Sequence, residues 1–179
     1  MESLIKATKN HEFPAAILVV ISNDTSAPGI NLAKNYNIPV EVIDKKKFNK
    51  PLFEINSQKI LLNFKIEIIC LAGFMQVLSK KFISNWQNRI INIHPSYLPK
   101  NKGLNAQKQA LDEKASFTGC TVHFVNEEID SGEIILQEKV KILSEDSVQT
   151  LSDRILKSEH VIYPRALEQI ASNIIKLEN

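Results

Sequence analysis

The segment RIINIHPSYLP, residues 89–99, holds an asparagine and a histidine two residues apart, Asn92 and His94, inside an apolar run. An asparagine amide can donate a hydrogen bond to an oxygen on which negative charge develops, and an imidazole can carry a proton near neutral pH. A donor beside a proton carrier suits acyl transfer. The alternative, from these residues alone, is that Asn92 caps a turn and His94 is a core histidine.

The strand that carries this pair decides where the two side chains point. Residues 89–94 are predicted to form a strand, and Pro95 ends it because proline cannot continue a ladder of backbone hydrogen bonds. Side chains two residues apart on a strand point to the same face, so Asn92 and His94 would reach one site. Ligands of parallel α/β sheets bind beyond the carboxyl ends of the strands, where this pair lies.

Apolar runs and helical patterns alternate along the chain. Strands are predicted at residues 15–21, 38–43, 66–73, 89–94, 118–125 and 133–140, and helices at 26–36, 51–63, 76–86, 105–114 and 146–176, the last helix whole or broken near Pro164. The run at 15–21 is expected to be fully buried. The order predicts an α/β protein with an open, mostly parallel, Rossmann-like sheet. The last two strands are joined too closely for a parallel crossover, so an antiparallel strand near one edge is expected.

The loop between the last two predicted strands, NEEIDSG at residues 126–132, supplies carboxylates. Asp130 is expected to be held inward, because Ile129 would fold the loop onto the body of the protein. A carboxylate near His94 would favour its charged form and fix its orientation. One alternative is a solvated acidic turn, and another is a serine hydrolase that uses Ser96, although the chain has no GxSxG motif.

Size and composition exclude several classes of protein. The chain has 179 residues, 44% hydrophobic and 23% charged, with a net charge of +2 from 22 basic and 20 acidic residues. We expect one domain over residues 1–179, in the cytoplasm, without a nucleic-acid or membrane partner. Cys70 and Cys120 lie in apolar runs and are expected to be reduced and buried, and the histidines show no metal-site spacing.

Four segments, LAGFMQVLS, INIHPSYLP, TGCTVHFVNEEIDSG and SEHVIYP, occur in this order. Together they resemble the phosphoribosylglycinamide formyltransferase family of folate-dependent enzymes of purine synthesis, over nearly the whole chain. The resemblance implies a formyltransferase fold and transfer of a formyl group from 10-formyltetrahydrofolate to the amine of phosphoribosylglycinamide, without a metal. It also implies small-molecule substrates and a monomer or weak homodimer.

The resemblance also assigns roles to individual residues. Asn92 would bind the formyl oxygen and stabilise the oxyanion, His94 would be the general acid, and Asp130 would favour its charged form and hold an ordered water. The residues that would bind folate are Lys50, Met75, Gln76, Val77, Leu78, Asn92, Asn126, Glu127, Glu128, Ile129 and Asp130. The residues that would contact the glycinamide substrate are Leu156, Lys157, Ser158 and Glu159.

The chain departs from the family pattern in two places. Asn105 and Gln107 stand where the family commonly has histidines. The family opens with a strand and a glycine-rich turn before a phosphate-binding helix, whereas residues 1–8 here have the apolar spacing of a helix. We therefore expect an N-terminally truncated chain without its first strand, and the alternative function is a folate-binding remnant with little or no activity. A nucleotide-binding oxidoreductase would need GxGxxG, which the sequence lacks.

Overall fold

The structure of the chain, a computed structural model, describes the backbone of residues 1–177 and the side chains of residues 1–172. The chain divides into two units, Met1–Ile68 and Ile69–Asn179. Of the residues expected to form the site, Lys50 lies in the first unit and all the others lie in the second. The expectation of one domain over the whole chain stays a prediction.

In residues 1–68 the structure has three helices and two short strands. They are α1 (Glu2–Thr8), β1 (Val20–Ser22), α2 (Pro28–Asn35), β2 (Val40–Val42) and α3 (Lys50–Asn63). β1 and β2 pair in parallel, with Val20 opposite Val40. α3 begins where the Asn49 side chain accepts a hydrogen bond from the Leu52 N–H, which satisfies a free donor of the first turn. The order of strands and helices in this unit agrees with the prediction.

The expected fully buried strand at residues 15–21 is wrong in two respects. Only Val20–Ser22 form a strand, and no residue of 15–21 is buried, with Leu18 44% exposed. A strand is buried when it has neighbours on both sides and helices on both faces of the sheet. Among the described residues β1 has one hydrogen-bonded neighbour, β2. The apolar run therefore predicted an extended segment but not the number of strands beside it.

The second unit contains the sheet that carries Asn92 and His94. Its elements are β3 (Ile69–Leu71), α4 (Lys80–Asn85), β4 (Ile90–His94), α5 (Ala106–Asp112), β5 (Phe117–Phe124), β6 (Ile134–Lys141) and α6 (Val148–Leu177). The strands lie in the order β3-β4-β5-β6. β3 and β4 are parallel, and β5 is antiparallel to both of its neighbours, β4 and β6. The predicted fold class is confirmed, with β5 as the antiparallel strand next to the edge strand β6.

Two glycines let the β5–β6 hairpin close tightly. A Cβ atom added to Gly119 would overlap the carbonyl oxygen of Glu138 on the facing strand, and one added to Gly132 would overlap the carbonyl oxygen of Phe124. Both positions therefore need glycine. Gly132 ends the loop that carries Asp130, so its close approach to β5 sets where that loop lies against the strand.

The Tyr163 hydroxyl joins α6 to the last residue of β3 and to the second residue of β4. It lies 2.7 Å from the carbonyl oxygen of Leu71 and 3.2 Å from that of Ile91, and it can donate its proton to either. Burial raises the pKa of Tyr163, so the hydroxyl remains a donor at neutral pH. Because Ile91 precedes Asn92, this hydrogen bond helps to fix the backbone of the site. α6 is continuous through Pro164, which settles the question left open by the sequence.

Candidate active site

β4 places Asn92 and His94 at its carboxyl end. Asn92 lies opposite Leu71 of β3 on one side and His123 of β5 on the other, and His94 lies opposite Thr121 of β5. His94 is buried and Asn92 is half-buried. The amide of Asn92 forms no hydrogen bond to any residue that the structure describes. Its donor is therefore free for an oxygen atom of a bound molecule.

Both nitrogen atoms of the His94 ring face hydrogen-bond acceptors. Nδ1 lies 3.3 Å from Oδ2 of Asp130, and Nε2 lies 2.9 Å from the backbone carbonyl oxygen of Asn101. Because a carbonyl oxygen only accepts, the proton of a neutral ring lies on Nε2, and Nδ1 then turns its lone pair toward the carboxylate. A second proton on Nδ1 removes that repulsion. A ring protonated on both nitrogen atoms would donate to both acceptors, and such an imidazolium can give a proton to a leaving group.

Of the three acidic residues in the 126–132 loop, Asp130 is the one whose carboxylate is turned inward, as the sequence predicts. Its φ of +48° lies in the left-handed region that Asp and Asn tolerate better than most residues, and its Oδ2 accepts a 2.8 Å hydrogen bond from the Gly103 N–H. Burial raises the pKa of Asp130, but the nearby His123 ring, the hydrogen bond from the Gly103 N–H and the charge of His94 together lower it more. The pKa ends below its usual range, so Asp130 is ionised at neutral pH.

The segment between β4 and α5 supplies the backbone groups that contact His94 and Asp130. Gln109 of α5 fixes this segment, because its Nε2 donates to the carbonyl oxygens of Lys102 and Leu104 at 3.2 and 2.9 Å. The two residues that depart from the family pattern lie where this segment joins α5. Asn105 is the N-cap residue, with a left-handed φ of +58° that asparagine tolerates well, and Gln107 is half-buried in α5.

His123 is a residue of this site that the sequence interpretation missed. Its side chain on β5 is 3% exposed, Nε2 lies 3.6 Å from Oδ1 of Asp130, and Nδ1 lies 2.8 Å from the carbonyl oxygen of Phe124. Asp130 thus has a histidine against each carboxylate oxygen, since His94 faces Oδ2. A signal was present in the sequence, because a histidine inside the predicted buried strand TGCTVHFV is an ionisable group at an apolar position.

The two segments expected to bind folate, residues 75–78 and 126–130, are joined by an ion pair. Lys80 at the start of α4 places its Nζ 2.6 Å from Oε2 of Glu127, and both side chains are largely exposed. Leu78 is buried, Gln76 is half-buried, and the exposed members of the two segments are Met75, Val77, Asn126, Glu127, Glu128 and Ile129. The exposed apolar side chains offer surface to a flat apolar ligand.

The four residues expected to contact the glycinamide substrate share one stretch of α6. Leu156 and Lys157 are exposed, and Ser158 and Glu159 are half-buried. Burial raises the pKa of Glu159. Lys50 is the exposed first residue of α3 in the first unit.

The serine-hydrolase alternative does not fit the structure. Ser96 is fully buried, and its Oγ donates to the carbonyl oxygen of Lys100 at 2.6 Å, so its proton is already engaged.

In the part of the chain that the structure describes, no three His, Cys, Asp or Glu side chains are grouped to hold a metal ion. None of the described helices has the length and apolar character needed to cross a membrane. Burial raises the pKa of Cys70 and of Cys120 to about 12, so both are thiols at neutral pH.

Several known proteins are similar in sequence to this chain over nearly its whole length. Residues 1–167 match a family model described as formyl transferase. The chain is 44% identical over 178 residues to the trifunctional purine biosynthetic protein adenosine-3 of Homo sapiens, which covers 99% of this chain and 18% of that protein. It is 38% identical over 181 residues to the phosphoribosylglycinamide formyltransferase of Haemophilus influenzae, which covers 100% of this chain and 85% of that enzyme.

Solved structures agree with the sequence comparison. The crystal structure of phosphoribosylglycinamide formyltransferase from Anaplasma phagocytophilum superposes with a TM-score of 0.91 at 43% identity, over 96% of this chain and 80% of that one. The chain belongs to the formyl transferase family. Within it, the relatives from H. influenzae and A. phagocytophilum are phosphoribosylglycinamide formyltransferases, which confirms the resemblance seen in the four sequence segments. The chain spans 18% of the length of the trifunctional vertebrate relatives.

Proposed function

We propose that this chain transfers a formyl group from 10-formyltetrahydrofolate to the amine of phosphoribosylglycinamide in de novo purine synthesis. The observation that carries the proposal is its 38% identity to a phosphoribosylglycinamide formyltransferase over 85% of that enzyme. The His94–Asp130 pair and the free amide of Asn92 are the groups that formyl transfer needs. No observation on the described residues favours the alternative of an inactive folate-binding remnant.

The reaction passes through a tetrahedral intermediate. The amine nitrogen of the glycinamide attacks the formyl carbon, and negative charge develops on the formyl oxygen. The Asn92 amide donates a hydrogen bond to that oxygen. The His94 imidazolium gives a proton to the folate nitrogen as its bond to the formyl carbon breaks. The attacking amine loses its proton through an ordered water held by Asp130, and the proton passes to His94 to replace the one that His94 has given.

The same proposal places the two substrates. The pterin ring of the folate packs on the exposed apolar side chains of residues 75–78 and 126–130. The glycinamide contacts residues 156–159 of α6. The transfer needs no metal, because an amide donor and an imidazolium supply the charge stabilisation. The chain acts on small molecules in the cytoplasm as a monomer or a weak homodimer.

An assay with the purified chain and both substrates tests this function. Tetrahydrofolate and formylated glycinamide should form in equal amounts, and Asn92→Ala should remove most of the activity. A reaction without the glycinamide is the control, because release of formate there would indicate hydrolysis instead of transfer. Folate binding measured by calorimetry together with no transfer would contradict the proposal and support the remnant.

A further inference from the structure

We propose that His123 is a positioning residue of this site, which donates from Nε2 to Oδ1 of Asp130 and thereby orients the carboxylate toward His94. The proposal rests on the proposed function, because it concerns the same site, and it adds a fourth residue to the three that the resemblance implies. His123 acts through Asp130 and is not placed against the reacting atoms.

The first observation is a buried nitrogen atom without a partner. The His123 side chain is 3% exposed, and its Nε2 has no hydrogen bond to any described residue. It faces Oδ1 of Asp130 at 3.6 Å, just beyond hydrogen-bond distance. Buried polar atoms in proteins nearly always have a hydrogen-bond partner. A proton on Nε2 of His123 would let this atom form a hydrogen bond with Oδ1 of Asp130.

The second observation is the unequal support of the two carboxylate oxygens. Oδ2 of Asp130 has two partners, the Gly103 N–H at 2.8 Å and Nδ1 of His94 at 3.3 Å. Oδ1 faces His123 and no other donor among the described residues. The Asp130 side chain is 11% exposed, so water gives Oδ1 little compensation. Without His123 the carboxylate has one unsatisfied buried oxygen and is free to rotate away from His94.

The third observation is that the two histidines have the same pattern of contacts. In each ring one nitrogen lies against a backbone carbonyl oxygen, of Asn101 for His94 and of Phe124 for His123, and the other faces Asp130. Each ring donates to Asp130 only when it carries both protons. A proton on Nε2 of His123 would therefore give Asp130 a donor on the oxygen atom that His94 does not face. A proton on His123 keeps Asp130 paired after His94 has given its proton to the leaving folate nitrogen.

The charges around Asp130 come from two strands. His94 faces it from β4 and His123 from β5, and the Gly103 N–H adds a partial positive charge from the segment before α5. The ammonium of Lys102 is bound to the hydroxyl of Ser131, the residue after Asp130. Burial has the largest single effect on the pKa of Asp130 and raises it, and contact with His123 is among the causes that lower it. Loss of that contact moves the pKa of Asp130 upward.

Two substitutions separate donation to Asp130 from simple packing. His123→Gln places an amide N–H near the position of Nε2 and keeps a donor toward Asp130. His123→Asn places an amide near the position of Nδ1 and keeps only the contact with the Phe124 carbonyl oxygen. His11→Gln removes an exposed histidine from the first unit and serves as the control. Steady-state kinetics are measured for each variant down to the lowest pH at which it stays folded, together with the pH titration of the Asp130 carboxyl carbon by NMR in the free protein.

We expect His123→Asn to lower kcat by about ten- to a hundredfold with little change in KM, the range that misplacing a reacting group costs. The acid limb of its pH profile and the Asp130 titration should both move to higher pH. His123→Gln should recover most of kcat and His11→Gln should match the unmodified chain. Equal losses in the Gln and Asn variants, or an unmoved Asp130 titration in the Asn variant, would overturn the proposal.

The NMR measurement also decides the proposal if a variant does not fold or if the chain has no transferase activity. In the unmodified protein the nitrogen shifts of His123 and the carboxyl shift of Asp130 should respond to pH together, because a proton on Nε2 faces Oδ1 of Asp130. The chain has four histidines, so single substitutions of the two outside the site, His11 and His160, assign the signals. A His123 ring that does not respond to pH would refute the proposal, whereas an inactive chain with coupled titrations would refute only the proposed function.

Discussion

The inner part of the site and its rim are held together by different interactions. The inner part consists of Asn92, His94, Asp130 and His123. The rim consists of residues 75–80 and residues 126–129. The ionisable side chains of the inner part are 11% exposed or less, and each faces particular polar atoms, whereas the rim has exposed apolar side chains and an ion pair in water. Lost buried contacts leave polar atoms unsatisfied, while exposed pairs are screened by water and salt. We therefore expect the inner part to control turnover and the rim to affect binding alone.

The largest effect is expected from Asn92→Ala, which removes the free amide of the inner part. kcat should fall about 100- to 1000-fold, the loss typical of one oxyanion donor. The free energy of unfolding should change little, because the amide has no hydrogen bond to a described residue. Steady-state kinetics and urea unfolding measure the two quantities. Asn85→Ala removes an exposed amide at the end of α4 and is the control. Equal kcat values for the two variants would show that the inner part does not stabilise the oxyanion.

Asp130→Asn should lower kcat by about ten- to a hundredfold, because it removes the negative charge that faces Nδ1 of His94. Asparagine tolerates the left-handed φ of +48° at this position, so the loop keeps its shape. The activity limb that needs a protonated His94 should move to lower pH. Kinetics across pH and an NMR titration of the His94 ring measure both effects. An unmoved His94 titration with unchanged turnover would leave Asp130 as a turn residue only.

The same substitution has a second consequence for stability. The pKa of Asp130 is lower in the folded chain than in the unfolded chain. Its carboxylate therefore stabilises the fold above the unfolded pKa of about 4, and this stabilisation is lost as pH falls through the folded pKa. The difference in unfolding free energy between the parent and Asp130→Asn should shrink below about pH 4. Urea unfolding at pH 7 and pH 3 tests the sign of this change.

The inner part was only partly predictable from sequence. The spacing of Asn92 and His94 on one strand and the acid of the following hairpin are local features, and the periods of strands and turns reveal them. The contact between His123 and Asp130 depends on the register shift of β5 against β6 at His123 and on the left-handed backbone at Asp130. The Asn101 carbonyl that faces His94 is a backbone atom, and no pattern of side chains indicates it. The burial of residues 15–21 was wrongly predicted for a similar reason, because the apolar composition of a segment does not show how many strands lie beside it.

Tyr163→Phe tests whether the hydrogen bonds of the Tyr163 hydroxyl to the backbone of β3 and β4 stabilise the inner part. The substitution removes the hydroxyl that donates to Leu71 or Ile91 and leaves a buried carbonyl oxygen with one partner fewer. The free energy of unfolding should fall by about 1–2 kcal/mol, and kcat should fall less than in Asp130→Asn because the reacting groups remain. Thermal and urea unfolding measure the loss. Tyr97→Phe is the control, since that hydroxyl has no hydrogen bond to a described residue. Equal stabilities of the two variants would contradict the role given to Tyr163.

The smallest effect is expected at the rim, from Lys80→Ala. This substitution breaks the exposed ion pair with Glu127, which joins the two segments proposed to bind folate. KM for 10-formyltetrahydrofolate should rise by less than about threefold, with kcat unchanged, because exposed ion pairs contribute little. Lys81→Ala is the matched control, since it removes the same charge from the next position of α4, where the side chain is also exposed.

Salt separates a true contribution of this ion pair from a general effect of charge. At about 1 M salt the screening length is about 3 Å, so the difference in KM between Lys80→Ala and Lys81→Ala should disappear. Steady-state kinetics at low and high salt measure it. If the difference persists at high salt, Lys80 contacts the folate directly instead of pairing with Glu127. If Lys80→Ala lowers kcat as much as Asp130→Asn does, the rim takes part in turnover, and the division between an inner part that controls turnover and a rim that controls binding is wrong.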